Sequence, residues 1–284
     1  MEIVVLAWRV MNFMIQVFSE MFSYTFILRA IIVGILVSLC ASILGVSLVL
    51  KRYSMIGDGL SHVAFGALGI ATVLNIAPLK IALPTVIVVA FLLLKISENS
   101  KIKGDSLIAL ISASSLAIGI FAISIKSGVN TDIYNYLFGS ILAMNSSDVV
   151  LSIVCSVIVL VLFILFYNKI FAVTFDENFA KASGVRVNLY NMLISVLTAV
   201  TIVLGMRLMG SLLISSLIIF PALTSMRLFK KFNLVVVSSA IIAVICFLIG
   251  ITISYVFGTP AGASIVLVNL VVFFVFSIIS LIKK

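Results

Sequence analysis

The sequence predicts an all-α protein, a polytopic transmembrane bundle of about nine membrane-spanning helices, with eight to ten possible. Of its 284 residues, 64% are hydrophobic and only 10% are charged, and the mean hydropathy is +1.41. A soluble domain carries about 25% charged residues, so this composition is typical of a membrane protein. The chain also contains nine apolar runs close to the roughly 20 residues with which a helix crosses a hydrocarbon core of about 30 Å.

The nine runs leave no room for a soluble domain between them, so residues 23–284 form one transmembrane domain. The predicted spans are, in order, 25–50, 54–75, 79–96, 106–125, 148–168, 188–208, 211–229, 233–256 and 263–282. Residues 1–22 differ, because Arg9, Gln16 and Glu20 interrupt the apolar sequence there. Such a mixed segment favours an N-terminal interfacial helix over a tenth span.

Lysine and arginine residues orient the bundle. If nine helices alternate in direction, the loops on one side carry 13 of the 18 Lys and Arg residues, namely Lys51, Arg52, Lys95, Lys101, Lys103, Lys169, Lys181, Arg186, Arg227, Lys230, Lys231, Lys283 and Lys284. The positive-inside rule makes that side, and with it the C-terminus, cytoplasmic. Membrane topology therefore explains the net charge of +9, and no nucleic-acid partner is expected.

The sequence lacks the motifs of the enzymes that it could be confused with. It has no G-x-x-x-x-G-K-[ST] loop and no Gly-Lys pair, so it does not cradle ATP phosphates itself. Neither H-E-x-x-H nor G-x-S-x-G occurs. The Gly57-Asp58 pair lacks the second intramembrane carboxylate that an aspartyl protease needs. The three cysteines stand in separate apolar runs, which is typical of buried small side chains.

The stretch KRYSMIGDGLSHVAFG (51–66) places Asp58 and the only histidine, His62, four residues apart in an apolar run. On a helix this spacing puts both side chains on one face. Counted from Arg52, Asp58 would lie roughly 9 Å deep and His62 about 15 Å deep. An ionisable group at such depth costs about 2.5–3.5 kcal/mol, so the pair faces a protein interior or an aqueous path.

Two interpretations of the pair stay open at this stage. An Asp58–His62 hydrogen bond could be structural and lock two helices together. Alternatively, a carboxylate oxygen and an imidazole nitrogen suit divalent ions such as Zn²⁺, Mn²⁺ and Fe²⁺. Two ligands are too few for a stable site, since zinc takes four. Two copies of the chain on a twofold axis would supply the missing pair and still release a permeating ion.

Two further segments are candidates for a mechanical role. The stretch FDENFAKASGV (175–185) predicts a cytoplasmic helix of about two turns, with Asp176 as N-cap, Glu177 in the first turn, Gly184 after its end, and Phe179, Ala180 and Ser183 presented to the outside. In MGSLLISSLIIFPALTSM (209–226), Pro221 predicts a kink whose freed carbonyls Ser215 and Ser216 could satisfy. This helix is either pore-lining or kinked for packing alone.

Two features on the outer side have simpler expectations. Residues 126–147 are too apolar for a solvated loop and too short to span, so they predict a re-entrant or interfacial segment. It would contact an outside protein or pack on the membrane surface. Arg207 lies near the outer end of its span and is expected to extend towards the interface.

Five motifs in order resemble the membrane subunits of bacterial ATP-binding-cassette importers for zinc and manganese. They are LKRYSMIGDGLSHVAFGALGIA (50–71), TDIYNYLFGSILAM (131–144), FDENFAKASGV (175–185), MGSLLISSLIIFPALTSM (209–226) and FGTPAGASIVL (257–267). The resemblance covers nearly everything after residue 20. Two departures occur: Ser140 stands where relatives often carry Asp, and Gly59 where Ala is commoner.

The resemblance implies a homodimeric permease in the bacterial cell membrane. Its implied partners are a pair of cytoplasmic ATPase subunits, which alone bind ATP, and an extracytoplasmic metal-binding protein that delivers the ion. Asp58 and His62 match the family's metal-path positions, and 175–185 matches its coupling helix. A permease for a ferric chelate and a stand-alone secondary transporter are the alternatives. The choice between zinc, manganese and iron, and between a homodimer and a heterodimer, stays open.

Overall fold

The computed structural model describes residues 20–99, 104–125, 137, 139, 145–211 and 214–282, and every regular element within these ranges is an α-helix. The all-α prediction is therefore confirmed for this part of the chain. The predicted interfacial segment 1–22 falls almost entirely outside the described residues. The predicted outer segment 126–147, including Ser140, falls largely outside them too.

The chain forms eleven helices within the described ranges. They are α1 Thr25–Leu50, α2 Ile56–Val73, α3 Pro78–Asn99, α4 Gly104–Ile125, α5 Ser146–Leu165, α6 Tyr167–Phe175, α7 Glu177–Ala182, α8 Val187–Met209, α9 Ile214–Leu228, α10 Phe232–Phe257 and α11 Ala261–Ile282. Each of the nine predicted spans corresponds to one long helix. The two short helices, α6 and α7, lie between α5 and α8.

Seven of these helices are long and apolar enough to cross a membrane: α1, α2, α4, α5, α8, α10 and α11. The apolar segments of α3 (Pro78–Leu93) and α9 (Ile214–Leu228) are shorter. A helix of 15 residues such as α9 rises only about 22 Å, which is less than a hydrocarbon core of about 30 Å. The count of nine spans thus stays a prediction, because α3 and α9 fall short of full length.

The helices divide into an inner and an outer group. The apolar 18-residue stretches of α1 and α2 are each 78% buried. Helix α1 packs against α5, α8, α9 and α10. By contrast, the corresponding stretches of α4 and α11 are only 17% and 11% buried. Their exposed side chains are mostly large and apolar, as at Phe121 and Phe274. Such surfaces are suited to lipid or to another apolar partner.

Glycines bring α2 and α4 into close contact. A Cβ atom on Gly66 would lie 2.7 Å from the Ser115 carbonyl oxygen, and one on Gly69 would lie 2.8 Å from the Gly119 carbonyl oxygen. Real Cβ atoms do not approach backbone so closely, so only glycine permits this spacing. Small residues allow the same approach in membrane helix pairs generally. Helix α2, which carries Asp58 and His62, therefore packs tightly against α4.

The lysine-rich turns gather at one end of the bundle, which we call the basic end. Lys51, after α1, reaches α6, α7 and α8 there, and Ser280 near the end of α11 donates a hydrogen bond to the Arg227 carbonyl at 3.2 Å. At the opposite end Arg29, in α1, donates to the Ser146 hydroxyl at 3.0 Å. Within the described residues, the turns at Lys51, at 169–186 and at 227–231 thus lie at one end of the molecule, since Phe232 also contacts Phe171 and Phe175.

Arg207 corrects one expectation. Instead of extending towards an interface, it is buried, and its Nη2 donates to Asp148 Oδ2 at 2.6 Å. Asp148 lies in the first turn of α5, so the ion pair joins α8 to α5 at the end opposite the basic end. A nearby carboxylate removes the need for the guanidinium to reach water.

Candidate metal path

Asp58 and His62 lie on α2, directly after the sharp turn that follows α1. The turn depends on Arg52, whose φ of 62° is in the left-handed region that residues other than glycine rarely adopt. Helix α2 begins at Ile56, so Asp58 stands in its first turn and His62 one turn further on. The predicted shared face is confirmed by the geometry, because the two side chains approach each other along the helix.

The pair is close but does not form a hydrogen bond. Asp58 Oδ2 and His62 Nε2 are 3.7 Å apart, whereas a hydrogen bond to nitrogen spans 2.7–3.2 Å. Both residues belong to α2, so their contact cannot lock two helices together. The structure thus shows no Asp58–His62 hydrogen bond of the kind that the structural interpretation invokes.

The two side chains differ in their access to the surroundings. The His62 side chain is 9% exposed, and its Nδ1 atom is buried without a hydrogen-bond partner in the described part of the chain. The Asp58 side chain is 38% exposed and opens to a groove of about 590 Å³ between α2 and α4. The groove is lined by Met55, Asp58, Ile108, Ala109, Ser112, Ala113 and Leu116. A buried imidazole with an unused nitrogen beside an accessible carboxylate can bind a cation.

The site is incomplete within one chain. No group of three or more His, Cys, Asp or Glu side chains that could hold a metal occurs among the described residues. A divalent ion at Asp58 and His62 would need further ligands from water or from another molecule. The α4 wall of the groove carries the small side chains Ala109, Ser112 and Ala113, which let a second helix approach closely.

The predicted short helix is present as α7, and both of its ends form as the sequence indicated. The Asp176 carboxylate accepts a hydrogen bond from the Phe179 N–H at 2.9 Å, which makes Asp176 the N-cap. At the other end Gly184 has a φ of 78°. The Gly184 and Val185 N–H groups donate to the Lys181 and Ala180 carbonyls at 3.1 and 3.0 Å, the arrangement of a Schellman C-cap.

The outward face of α7 differs from the prediction at one residue. Phe179 is 67% exposed and Ser183 is exposed, as expected. Ala180, however, is fully buried and packs in a small cluster with Val173 and Val187. The expectation that Ala180 is presented to a partner is therefore wrong, because the six-residue helix needs one apolar side chain to hold it on the bundle.

Glu177 has a contact that the sequence did not reveal. Besides lying in the first turn of α7, it forms an ion pair with Lys51, whose Nζ is 2.6 Å from Glu177 Oε1. Partial burial raises the pKa of the Glu177 carboxyl, but the Lys51 charge and the hydrogen bonds of Lys51 and Asn191 outweigh burial and lower the pKa below 4.5. Lys51 and Glu177 are 126 positions apart, so their spacing in the sequence did not indicate that they are in contact.

The proline of α9 lies within a continuous helix. Helix α9 extends through Pro221, which is buried. The Ser215 hydroxyl is also buried and has no hydrogen-bond partner among the described residues, so Ser215 does not satisfy a freed carbonyl. Ser216 is half-buried. The pore-lining role of Pro221, Ser215 and Ser216 stays a prediction.

Comparison with known proteins agrees with this architecture. The chain is 30% identical to the manganese import system permease protein ScaB of Streptococcus gordonii over 263 residues, which are 92% of this chain and 94% of ScaB. It is 29% identical to the high-affinity zinc uptake system membrane protein ZnuB of Haemophilus influenzae, over 90% of this chain and 96% of ZnuB.

A solved structure, PsaBC from Streptococcus pneumoniae in complex with Fab, matches with a TM-score of 0.83 at 29% identity and covers 93% of this chain and 95% of that chain. The ABC 3 transport family matches residues 23–280, nearly the whole predicted transmembrane domain. These findings confirm the resemblance carried by the five motifs, and the chain belongs to the ABC 3 transport family.

Proposed function

We propose that this chain is the membrane-spanning permease subunit of an ATP-driven importer, and that two copies form the translocation path for a divalent metal cation, Zn²⁺ or Mn²⁺. Its further partners are a cytoplasmic ABC ATPase dimer and an extracytoplasmic metal-binding protein. The chain is not itself an enzyme, because ATP binds only to the partner subunit. It lies in a bacterial cell membrane with the basic end and the C-terminus in the cytoplasm.

The observation that carries this proposal is the Asp58–His62 pair, which supplies two of the ligands that a divalent ion needs. A buried imidazole whose Nδ1 has no partner among the described residues, next to a carboxylate that opens to a groove, offers two ligands to a cation. A second copy across a twofold axis would bring the same two ligands and complete the coordination. An ion path needs binding that is favourable enough to admit the ion and weak enough to release it.

The alternatives fit this site less well. A permease for a ferric chelate needs a wide pore and gains nothing from a buried histidine ligand. A secondary transporter relies on several ionisable groups near the membrane midplane. Two further ion pairs of the described residues, Lys51–Glu177 and Asp148–Arg207, lie at the two ends of the bundle and are already paired at 2.6 Å.

Transport by the reconstituted complex tests the proposal. The permease, its ATPase and the metal-binding protein are assembled in proteoliposomes, and uptake of radioactive zinc and manganese is measured with and without ATP. We expect ATP-dependent uptake of at least one of the two ions, and no ATP hydrolysis by the permease alone. Uptake of a ferric chelate in place of either free ion, or hydrolysis without the ATPase, contradicts the proposal.

Docking of the ATPase on α7 is tested at its exposed aromatic residue. We expect Phe179→Ala to weaken association with the ATPase about tenfold, because Phe179 is 67% exposed on a short helix, capped at both ends, at the basic end. Phe257→Ala is the matched control, since Phe257 is 73% exposed at the end of α10, away from the basic end. Equal co-purification of both variants with the ATPase would exclude α7 as the docking site.

A further inference from the structure

Lys51 ties the end of α1 to three other helices. Its side chain is only 5% exposed. Nζ donates hydrogen bonds to the Val173 carbonyl in α6 at 3.1 Å, to Glu177 Oε1 in α7 at 2.6 Å and to Asn191 Oδ1 in α8 at 2.6 Å. The Asn191 amide also donates to Glu177 Oε1 at 3.2 Å. The three N–H groups of the ammonium are thus all used, and its charge is neutralised by Glu177.

The same lysine begins the turn that carries the candidate metal path. Lys51 is the C-cap of α1, and the Tyr53 N–H donates to the Leu48 carbonyl at 2.9 Å to close the turn. Arg52 occupies a left-handed conformation, which persists only where the surrounding contacts hold it. Asp58 follows Lys51 by seven residues, in the first turn of α2. A displacement of Lys51 therefore displaces the start of α2.

Free space lies beside the junction, by which we mean Lys51, its three hydrogen-bond partners and the turn between α1 and α2. A cavity of about 30 Å³ is lined by Leu48, Lys51, Tyr53, Ile56, Leu93, Leu107, Ile108, Asn191, Ile194 and Ser195. Ile108 also borders the groove into which Asp58 opens. Protein interiors are otherwise close-packed, so a void at the base of α2 gives that helix end room to shift towards Lys51 or away from it.

We propose that Lys51 is a positioning residue that transmits movement of α7 to the start of α2, and so couples the ATPase to the Asp58–His62 site. This inference rests on the proposed function. Glu177 is the link on the α7 side, since it lies two residues from the exposed Phe179. The turn at Arg52 is the link on the α2 side.

The chemistry of the junction suits transmission better than simple bracing. Glu177 is half exposed, so the ion pair can open towards water without leaving a bare carboxylate buried, whereas the 5% exposed ammonium keeps its Val173 and Asn191 partners. Coupling between two sites needs a contiguous element with two arrangements that both sites bias. Lys51, the turn and the adjoining cavity are contiguous, and opening of the Lys51–Glu177 ion pair would give this element its second arrangement.

The test measures how many metal ions the complex imports for each ATP hydrolysed. In the full reconstituted transporter we expect Lys51→Gln to lower this ratio roughly tenfold, with ATP hydrolysis and ATPase association kept within about twofold of the parent chain. Lys51→Arg should restore most of the ratio, because it keeps the charge. Glu177→Gln should lower it as well, and the double variant should be no worse than Lys51→Gln alone.

Asp148→Asn is the control, because it breaks an equally short ion pair at the opposite end. It should lower the melting temperature and leave the import ratio unchanged. If Lys51→Gln fails to assemble, Glu177→Gln decides the question, since its side chain is half exposed. An unchanged ratio in the assembled Lys51 and Glu177 variants, with only the melting temperature lowered, overturns the inference. Absent uptake by the parent complex would instead contradict the proposed function.

Discussion

Two pairs of ionisable side chains in this bundle differ in how complete they are. Asp148 and Arg207 belong to different helices, α5 and α8, and meet at 2.6 Å. Asp58 and His62 belong to one helix, stand 3.7 Å apart, and leave a buried imidazole nitrogen without a partner in the described residues. We call the first pair, which a direct charged hydrogen bond joins across two helices, the closed pair, and the second, whose ligand atoms are not joined to each other, the open pair.

The difference separates a bracing role from a binding role. Removing one partner of a buried ion pair leaves an uncompensated charge in the interior and destabilises the fold. A buried polar group without a partner costs free energy, so its presence calls for an explanation, and an ion, a ligand or another subunit can supply one. The two pairs should therefore respond in opposite ways when each aspartate is neutralised.

The largest effect is expected at the open pair. Asp58→Asn keeps the size of the side chain but removes the charge that offsets desolvation of a divalent ion. His62→Gln removes the imidazole ligand with a similar volume. We expect each change to lower metal uptake by the full transporter on the order of 100-fold, since even the supporting partners of metal ligands contribute 10–100-fold. The melting temperature should change little, because neither side chain forms a hydrogen bond with the other.

Uptake and melting must be measured on the same preparations of these two variants. Full uptake by Asp58→Asn would remove the carboxylate from the metal path. Uptake that is lost only together with the folded state would return the pair to a structural role, and the contrast with Asp148 and Arg207 would disappear.

A smaller effect, of the opposite kind, is expected at the closed pair. Asp148→Asn leaves the Arg207 guanidinium buried without its counter-charge, at a cost of about 2 kcal/mol for a charged hydrogen bond. The melting temperature of the detergent-solubilised permease should fall, whereas uptake for each folded molecule should be retained. A loss of uptake at unchanged melting temperature would show that this pair also serves transport.

The sequence predicted the helices and the open pair, because both depend on local patterns. Apolar runs and i, i+4 spacing are visible in a single stretch, and so were the caps at Asp176 and Gly184. The contacts that joined distant positions were not visible. Lys51 was interpreted only as a topology signal and Arg207 as an interfacial arginine, since their partners Glu177 and Asp148 lie 126 and 59 residues away.

Ala180 shows a different reason for failure. Its neighbours Phe179 and Ser183 are exposed as predicted, but a six-residue helix has one side facing the bundle, and Ala180 is on that side. A small residue on a short helix fits either a docking surface or a packed contact. Only the position of Val173 and Val187 beneath it distinguishes the two. A change such as Ala180→Arg would therefore displace α7 from the bundle.

The smallest effect on the free energy of unfolding is expected at a third pair, Lys51–Glu177. This pair is closed, but its Glu177 side chain is half exposed. The pKa of Glu177 is lower in the folded protein than its ordinary value of 4.5, so the ionised carboxylate stabilises the folded state above that value. The contribution is lost as the pH falls below 4.5 and through the folded-state pKa. Because Glu177 is 51% exposed, solvent screening keeps the contribution of its charge to the free energy of unfolding below about 1 kcal/mol.

The measurement compares the melting temperatures of the parent chain and of Glu177→Gln between pH 7 and pH 3.5. Titration of all other groups is common to both proteins, so it cancels in the difference. We expect the parent chain to be the more stable at pH 7 and the difference to shrink below pH 4.5, since protonated Glu177 and Gln are both neutral. A difference that is constant or grows on acidification would mean that the Glu177 charge adds nothing to folding, and that this pair is neither closed like Asp148–Arg207 nor open like Asp58–His62.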